Sequence, residues 1–383
     1  MKAIVNGIFV LEGATLRDAA VLFDEKIRGV VAPDMVGDAE IIDAGGAYVL
    51  PGLVDMHIHG YLGEDASDGK AEGIRTMARG IAKNGVTSWL PTTMTVSIPE
   101  LERAFEAIRT VKAESERGDF DGAQIMGINA EGPFINPEKK GAQAGEHIKP
   151  CDPEFINKYA DLIKVFTVAP EMKGNMAAIR RIHREHPEIL ISMGHTSATF
   201  DEAEKAVRAG VRHVTHLFNA QTPLKHRDPG VVGCALTDSK LSCELIADTF
   251  HVNKALFKLV SELKKDKLVL ITDCTRAGGM PDGEYSLGGQ PIFVSGIECR
   301  LADGTIAGSV LKLNEAVRNI VLNVKRVPLH KAVRMASLNP ATALGINKTK
   351  GSIAEGKDAD FCFADKDISI SRTILRGRTI YQA

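Results

Sequence analysis

Short apolar runs recur through the middle of the chain, most of them separated by segments long enough to form helices. The runs are LVDMHIHG (53–60), VTSWLPTT (86–93), AQIMGINAEGP (123–133), LIKVFTVAPE (162–171), ILISMGHT (189–196), RHVTHLFNA (212–220), LSCELIADTFH (241–251) and KLVLITD (267–273). Between them, PELERAFEAIRTVKAESER, NMAAIRRIHREH, TFDEAEKAVRAG and VNKALFKLVSELKKD carry apolar residues at helical spacing. Asp or Thr starts and nearby Gly ends reinforce the helical reading. Eight strands joined mostly by helices predict an α/β fold, a (β/α)8 barrel over residues 53–344.

Outside this span the texture changes. Residues 1–52 contain KAIVNGIFVL, AAVLFDEKIRGVVA and AEIIDAGGAYVLPG, and residues 345–383 contain GSIAEGKDADFCFADKDISISRTILRGRTIY. Both read as short strands with Gly and Asp turns. Neither segment has enough strands alone, so one small β-sandwich built from both termini is expected. The stretch from 277 to 309 holds GGMPDGEYSLGG and FVSGIECRLADGTIAGS, which predict a β-hairpin inserted after the eighth strand, over the barrel mouth.

In such a barrel, chemistry belongs to the C-terminal ends of the strands and the loops that follow them. The polar residues there are His57 and His59, Thr92 and Thr93, Glu131, Glu171, His195, His216, His251 and Asp273. His57 and His59 are two residues apart and therefore point to one side of a strand, with Met56 and Ile58 on the other. Alone, that pair is equally compatible with an ordinary strand end, and His195 or His216 alone with a core or capping role. Their joint placement favours a metal site, because neutral imidazole suits Zn2+ or Fe2+ and a carboxylate such as Glu131 can bridge two ions. Asp273 ends a fully apolar strand, where a carboxylate is costly unless it binds a metal, accepts hydrogen bonds or handles a proton. His183, His186 and His330 fall in helical segments and read as surface or packing residues.

Composition narrows the partners. The 383 residues carry a formal charge of -2 with both signs interspersed, so no basic field gathers nucleic acid or an anionic membrane. The six cysteines are scattered without a CxxC pair, which reads as reduced thiols and a cytoplasmic location. The N-terminal MKAIVNGIFVLEG lacks the features of a signal peptide, and no apolar run approaches membrane-spanning length.

The motifs VLPGLVDMHIHG and GSIAEGKDADF, with the dispersed Glu131, His195, His216 and Asp273, resemble the amidohydrolase superfamily. NAEGPFINPEKKGAQ (129–143), SMGHTSAT (192–199), THLFNAQTPLKHRDPG (215–230), IADTFHV (246–252), LITDCTRAGGMPDGEY (270–285) and TIAGS (305–309) resemble, within it, the deacetylases of N-acetylglucosamine 6-phosphate. The resemblance implies a metal-dependent TIM barrel with a sandwich made from both termini, and a hydrolase that releases acetate and glucosamine 6-phosphate. It further implies that Glu131, His195 and His216 hold one divalent ion, Zn2+ or Fe2+, and that His57 and His59 add a second beside Glu131. Asp273 is implied as general acid and base. Ala142, Gln143, Asn219, Ala220, Arg227, His251 and the Ile306, Ala307, Gly308 segment are implied to line the phosphorylated sugar. A homodimer is implied as well, with Arg227 serving its own or the neighbouring site. Gln143 departs from members that carry histidine there, which favours the two-ion arrangement. The alternatives are an amidohydrolase acting on another acetylated amino sugar or a cyclic amide, and a non-catalytic binding barrel.

Overall fold

The computed structural model describes residues 1–383. Eight parallel strands form the barrel: β1 (Leu53–Ile58), β2 (Val86–Thr93), β3 (Ile128–Glu131), β4 (Ile163–Val168), β5 (Leu190–Met193), β6 (His213–Val214), β7 (Ser242–Ile246) and β8 (Leu268–Ile271). Each pairs with the next in chain order from β1 to β8. Nearly every residue of these strands is buried, as expected when side chains fill the lumen on one face and helices cover the other. The helical patterns appear as helices at Ile98–Ser115, Asn175–Glu185, Phe200–Ala209 and Ala255–Lys264. Capping boxes start two of them, Ser97 with Glu100 and Thr199 with Glu202, so their first-turn N–H groups are satisfied locally.

β8 returns to β1 without a regular ladder, and the seam is closed near the catalytic end instead. Asp273 N donates to His57 O at 2.9 Å, and His59 N and Gly60 N both donate to Cys274 O at 2.9 Å. Thr272 Oγ1 donates to Asp55 Oδ2 at 2.7 Å. Gly60 follows from this closure: a Cβ there would lie 2.3 Å from Arg276 N and 2.5 Å from Glu64 O, and backbone atoms cannot swing away.

The two termini share a six-stranded sheet in which Tyr48–Pro51 pairs with Phe361–Ala364 on one side and Ile8–Val10 on the other. A four-stranded sheet from the N-terminal segment faces it. Phe23 and Phe361 meet edge to face at 5.2 Å, joining the two ends of the chain in a separate apolar cluster.

Two expectations are corrected. The segment after β8 is a three-stranded antiparallel sheet, Gly283–Leu287, Gln290–Ser295 and Glu298–Leu301, because a second tight turn at Gly296 (φ 59°) returns the chain once more. The sixth run is strand only at His213–Val214, since His216, Phe218 and Ala220 take positive φ and end the extended backbone.

Lys350 ties the segment after the barrel helices to the terminal sheets. Its Nζ lies 2.8 Å from both Asp358 Oδ2 and Asp360 Oδ2, with its side chain 2% exposed. Burial alone would raise the pKa of Asp358, but Lys350 and, at the surface, Lys26 together outweigh it and hold the carboxyl below its usual value. Lys350→Met leaves two carboxylates without their buried partner and is expected to cost about 3–5 kcal/mol in urea unfolding. A lowered carboxylate pKa stabilises the fold above the unfolded value of about 4 and loses that contribution as pH falls through the folded value. The gap between wild type and variant is therefore expected to shrink below about pH 4; a gap independent of pH counts against the pairing.

Candidate active site

The C-terminal ends of five strands deliver the polar groups to one spot. β1 supplies His57 and, one residue beyond its end, His59; β3 ends on Glu131; the turns after β5, β6 and β8 supply His195, His216 and Asp273. His195, His216 and Asp273 have φ of 45°, 27° and 50°, left-handed backbone that costs about 1–3 kcal/mol at a non-glycine residue. The strands end abruptly there and their last side chains turn inward over the lumen.

Glu131 is the centre. Its Oε1 lies 2.9 Å from His216 Nε2, 3.2 Å from His195 Nε2 and 3.5 Å from His57 Nε2, and its Oε2 lies 3.2 Å from His59 Nε2. Asp273 Oδ1 stands 3.1 Å from His59 Nε2 and 3.5 Å from His57 Nε2. Two groups of three potential ligands result, His57 with His59 and Glu131, and His195 with His216 and Glu131.

The hydrogen bonds on the far side of each ring decide what these groups suit. His195 Nδ1 faces Lys139 O at 2.8 Å, His216 Nδ1 faces Asn219 O at 3.1 Å and His59 Nδ1 faces Thr92 O at 3.1 Å. His57 Nδ1 faces Glu244 Oε2 at 2.9 Å. Each acceptor takes the Nδ1 proton, so a neutral ring presents the lone pair of Nε2 inward. Yet His195 and His216 Nε2 are 3.0 Å apart, and those of His57 and His59 are 3.3 Å apart. Facing lone pairs at that separation repel unless positive charge lies among them. The ring pKa values report the same demand: burial lowers that of His57, but Glu244, Glu131 and Asp273 outweigh it and bring it to about 9. His59 is raised well above its ordinary value, with Asp273 and Glu131 overcoming burial. The donor set, imidazole nitrogens plus a shared carboxylate, fits divalent transition metal.

Above this centre lies a cavity of about 380 Å3. Of the residues expected to line substrate, Ala142, Gln143, Asn219, Ala220, His251, Ile306 and Gly308 border it, while Ala307 is buried behind. His251 Nδ1 is held by Asp248 Oδ2 at 2.6 Å, which fixes the ring and leaves Nε2 free. Leu287 of the inserted sheet and Met94 supply an apolar wall, and Gln290 Nε2 donates to Ala142 O at 2.8 Å, fastening the insertion over the mouth. Gln143 bridges Thr95 N and Glu131 Oε2 at 2.6 Å each, so in the free chain it orients Glu131. Arg227 is exposed and does not border this chain's cavity. Glu171 is turned away from the centre and ties down the loop after His195 through Thr196 Oγ1, Ser197 N and Asn136 Nδ2.

Two residues of the centre's support escape sequence reading, Glu244 and His213. Glu244 sits in the middle of β7 and His213 opens β6, so neither closes an apolar run, and a polar residue there is indistinguishable from one position of an alternating strand. The only available signal is that a carboxylate in the apolar run LSCELIA needs a buried partner.

Residues 48–380 match the amidohydrolase family. The chain is 39% identical to the N-acetylglucosamine-6-phosphate deacetylase of Bacillus subtilis, over 89% of this chain and 87% of that protein. It is 34% identical to the N-acetylgalactosamine-6-phosphate deacetylase of Escherichia coli O157:H7, over 93% and 95%. Among solved structures, N-acetylglucosamine-6-phosphate deacetylase from Pasteurella multocida superposes with a TM-score of 0.93 at 29% identity, covering all of both chains. A mutant of the Mycobacterium smegmatis enzyme in complex with N-acetyl-D-glucosamine-6-phosphate gives 0.91 at 29% identity, covering 100% of this chain and 99% of that one. With a barrel closed around paired histidine and carboxylate groups, and likeness across its length to amino-sugar-phosphate deacetylases, this chain belongs to the amidohydrolase family.

Proposed function

We propose that this enzyme hydrolyses the amide of N-acetyl-D-glucosamine 6-phosphate, giving D-glucosamine 6-phosphate and acetate. The observation that carries this reading is the juxtaposition, within one cavity, of Asp273 beside the histidine and carboxylate centre with His251, Asn219 and Ala220. The centre suits amide cleavage, and the second set of groups suits a phosphate without requiring a basic protein.

Glu131, His195 and His216 would hold one divalent ion, Zn2+ or Fe2+, and His57, His59 and Glu131 a second. When bound, such ions supply Lewis acidity and make water a better nucleophile at neutral pH. Asp273 projects into the cavity beside His59, where its carboxylate takes a proton from the attacking water. The same carboxyl group returns that proton to the leaving nitrogen, since an amide nitrogen departs only when protonated. Met94, Leu287 and Ala142 form an apolar wall that keeps bulk water from the reacting carbonyl. His251 would hold a phosphate oxygen, its ring kept in place by Asp248.

We further infer a homodimer in which Arg227, exposed and away from its own cavity, reaches the neighbouring site. The similarity to the N-acetylgalactosamine-6-phosphate enzyme favours a second reading, in which the C4 epimer is also turned over. Comparing kcat/KM on the two sugars separates these readings.

Asp273→Asn is expected to lower kcat by about 10²–10⁴-fold with metal content retained; near-wild-type turnover excludes the proton role. His57→Ala is expected to leave the Glu131, His195 and His216 ion in place and remove the other, whereas Glu131→Gln removes or weakens both, read by elemental analysis of dialysed protein. Equal metal content in wild type, His57→Ala and Glu131→Gln refutes the shared-carboxylate arrangement. Arg227→Ala is expected to raise KM for the phosphorylated sugar, and mixing it with Asp273→Asn should regenerate activity in hybrid dimers. No recovery from subunits shown to have exchanged rules out the cross-subunit role.

A further inference from the structure

Glu244 lies in the middle of β7, 0% exposed, flanked by Ser242 and Cys243 on one side and Leu245 and Ile246 on the other. A carboxylate in that position persists only if its charge and lone pairs are fully used. Its Oε2 accepts from His57 Nδ1 at 2.9 Å and from His216 N at 2.9 Å, and its Oε1 accepts from His213 Nε2 at 3.1 Å. His213 is in turn held by Ser242 Oγ at 2.6 Å from Nδ1. Of the four inward-facing rings, only that of His57 has a carboxylate behind it; the other three have backbone carbonyls.

We propose that Glu244 is the positioning residue of the two-ion centre, selectively setting the strength of the His57, His59 and Glu131 group. This rests on the reading that both groups take up divalent metal. The physical reason is twofold. An anionic acceptor on Nδ1 fixes the His57 tautomer and pushes electron density toward Nε2, so the ring binds a cation more tightly than one backed by a carbonyl. The same oxygen also anchors the backbone of His216, at φ 27°, so one atom ties a ring of one group to the main chain of the other. Glu244 never touches substrate: it borders no part of the cavity and acts through His57.

Glu244→Gln keeps the shape but offers one acceptor oxygen where three N–H groups converge, and the amide N–H would face a donor. Co2+ titration of metal-stripped protein, followed by the visible absorption of the bound ion and by binding stoichiometry, reads each group separately. Glu244→Gln is expected to bind the ion of the His57 group about 10–100-fold more weakly than wild type, approaching the pattern of His57→Ala, while the other ion stays bound. The melting temperature of the metal-free protein controls for a merely structural role, which would lower it without changing the cobalt spectrum of the remaining complex. Should Glu244→Gln fail to fold, Glu244→Asp keeps the charge, withdraws the carboxylate from His57 and is expected to weaken the same ion. Wild-type affinity for two ions in either folded variant overturns the proposal alone. A wild type that titrates like His57→Ala overturns it together with the two-ion reading.

Discussion

Four imidazole nitrogens are made to face one carboxylate, and the rest of the structure serves that arrangement. Each ring is locked from behind by an acceptor at Nδ1, so none can relieve the crowding by turning its proton inward. Glu131, in the middle, is within 3.5 Å of all four Nε2 atoms. The carboxylates around the rings raise the pKa values of His57 and His59, so the centre calls for positive charge among the facing nitrogens, and a divalent cation supplies it while using every donor. The chemistry is therefore prepared by groups that never meet the substrate.

The barrel keeps this geometry rigid by closing where it matters. Between β1 and β8 the bonds from Asp273 N to His57 O and from His59 N to Cys274 O do the work that a strand ladder does elsewhere. They place the proposed proton carrier beside the first pair of histidines, so the position of Asp273 and the integrity of the barrel are one constraint. The left-handed backbone at His195, His216 and Asp273 stores strain that the packed core offsets. The inserted sheet, carried in the long loop after β8, then roofs the cavity through Leu287 and Gln290.

Much of this was legible in the residues. A barrel strand buries nearly everything along its length, so a polar residue that closes an apolar run stands out; that contrast marks His57, His59, Glu131, His195, His216 and Asp273. The joining of the terminal segments was legible from their shared strand-and-turn texture, although the N-terminal segment alone supplies a complete four-stranded sheet. Glu244 and His213 were hidden because one lies mid-strand and the other opens a strand, so neither closes an apolar run, and the meaning of each depends on a partner elsewhere in the chain. The third strand of the insertion was hidden by Gly296, whose turn resembles any other Gly-rich bend. Arg227 in KHRDPG is by its residues alone one charge of a polar loop, and a single chain leaves it exposed, because its proposed role depends on a neighbouring subunit.

The direct test is acetate release from N-acetyl-D-glucosamine 6-phosphate by purified protein, followed before chelation, after removal of bound metal and after restoration with Zn2+ or Fe2+. The account predicts turnover that disappears with the metal and returns with it, while the metal-free protein remains folded. Acetate release unaffected by complete metal removal, or none from the fully metal-loaded protein, would contradict it.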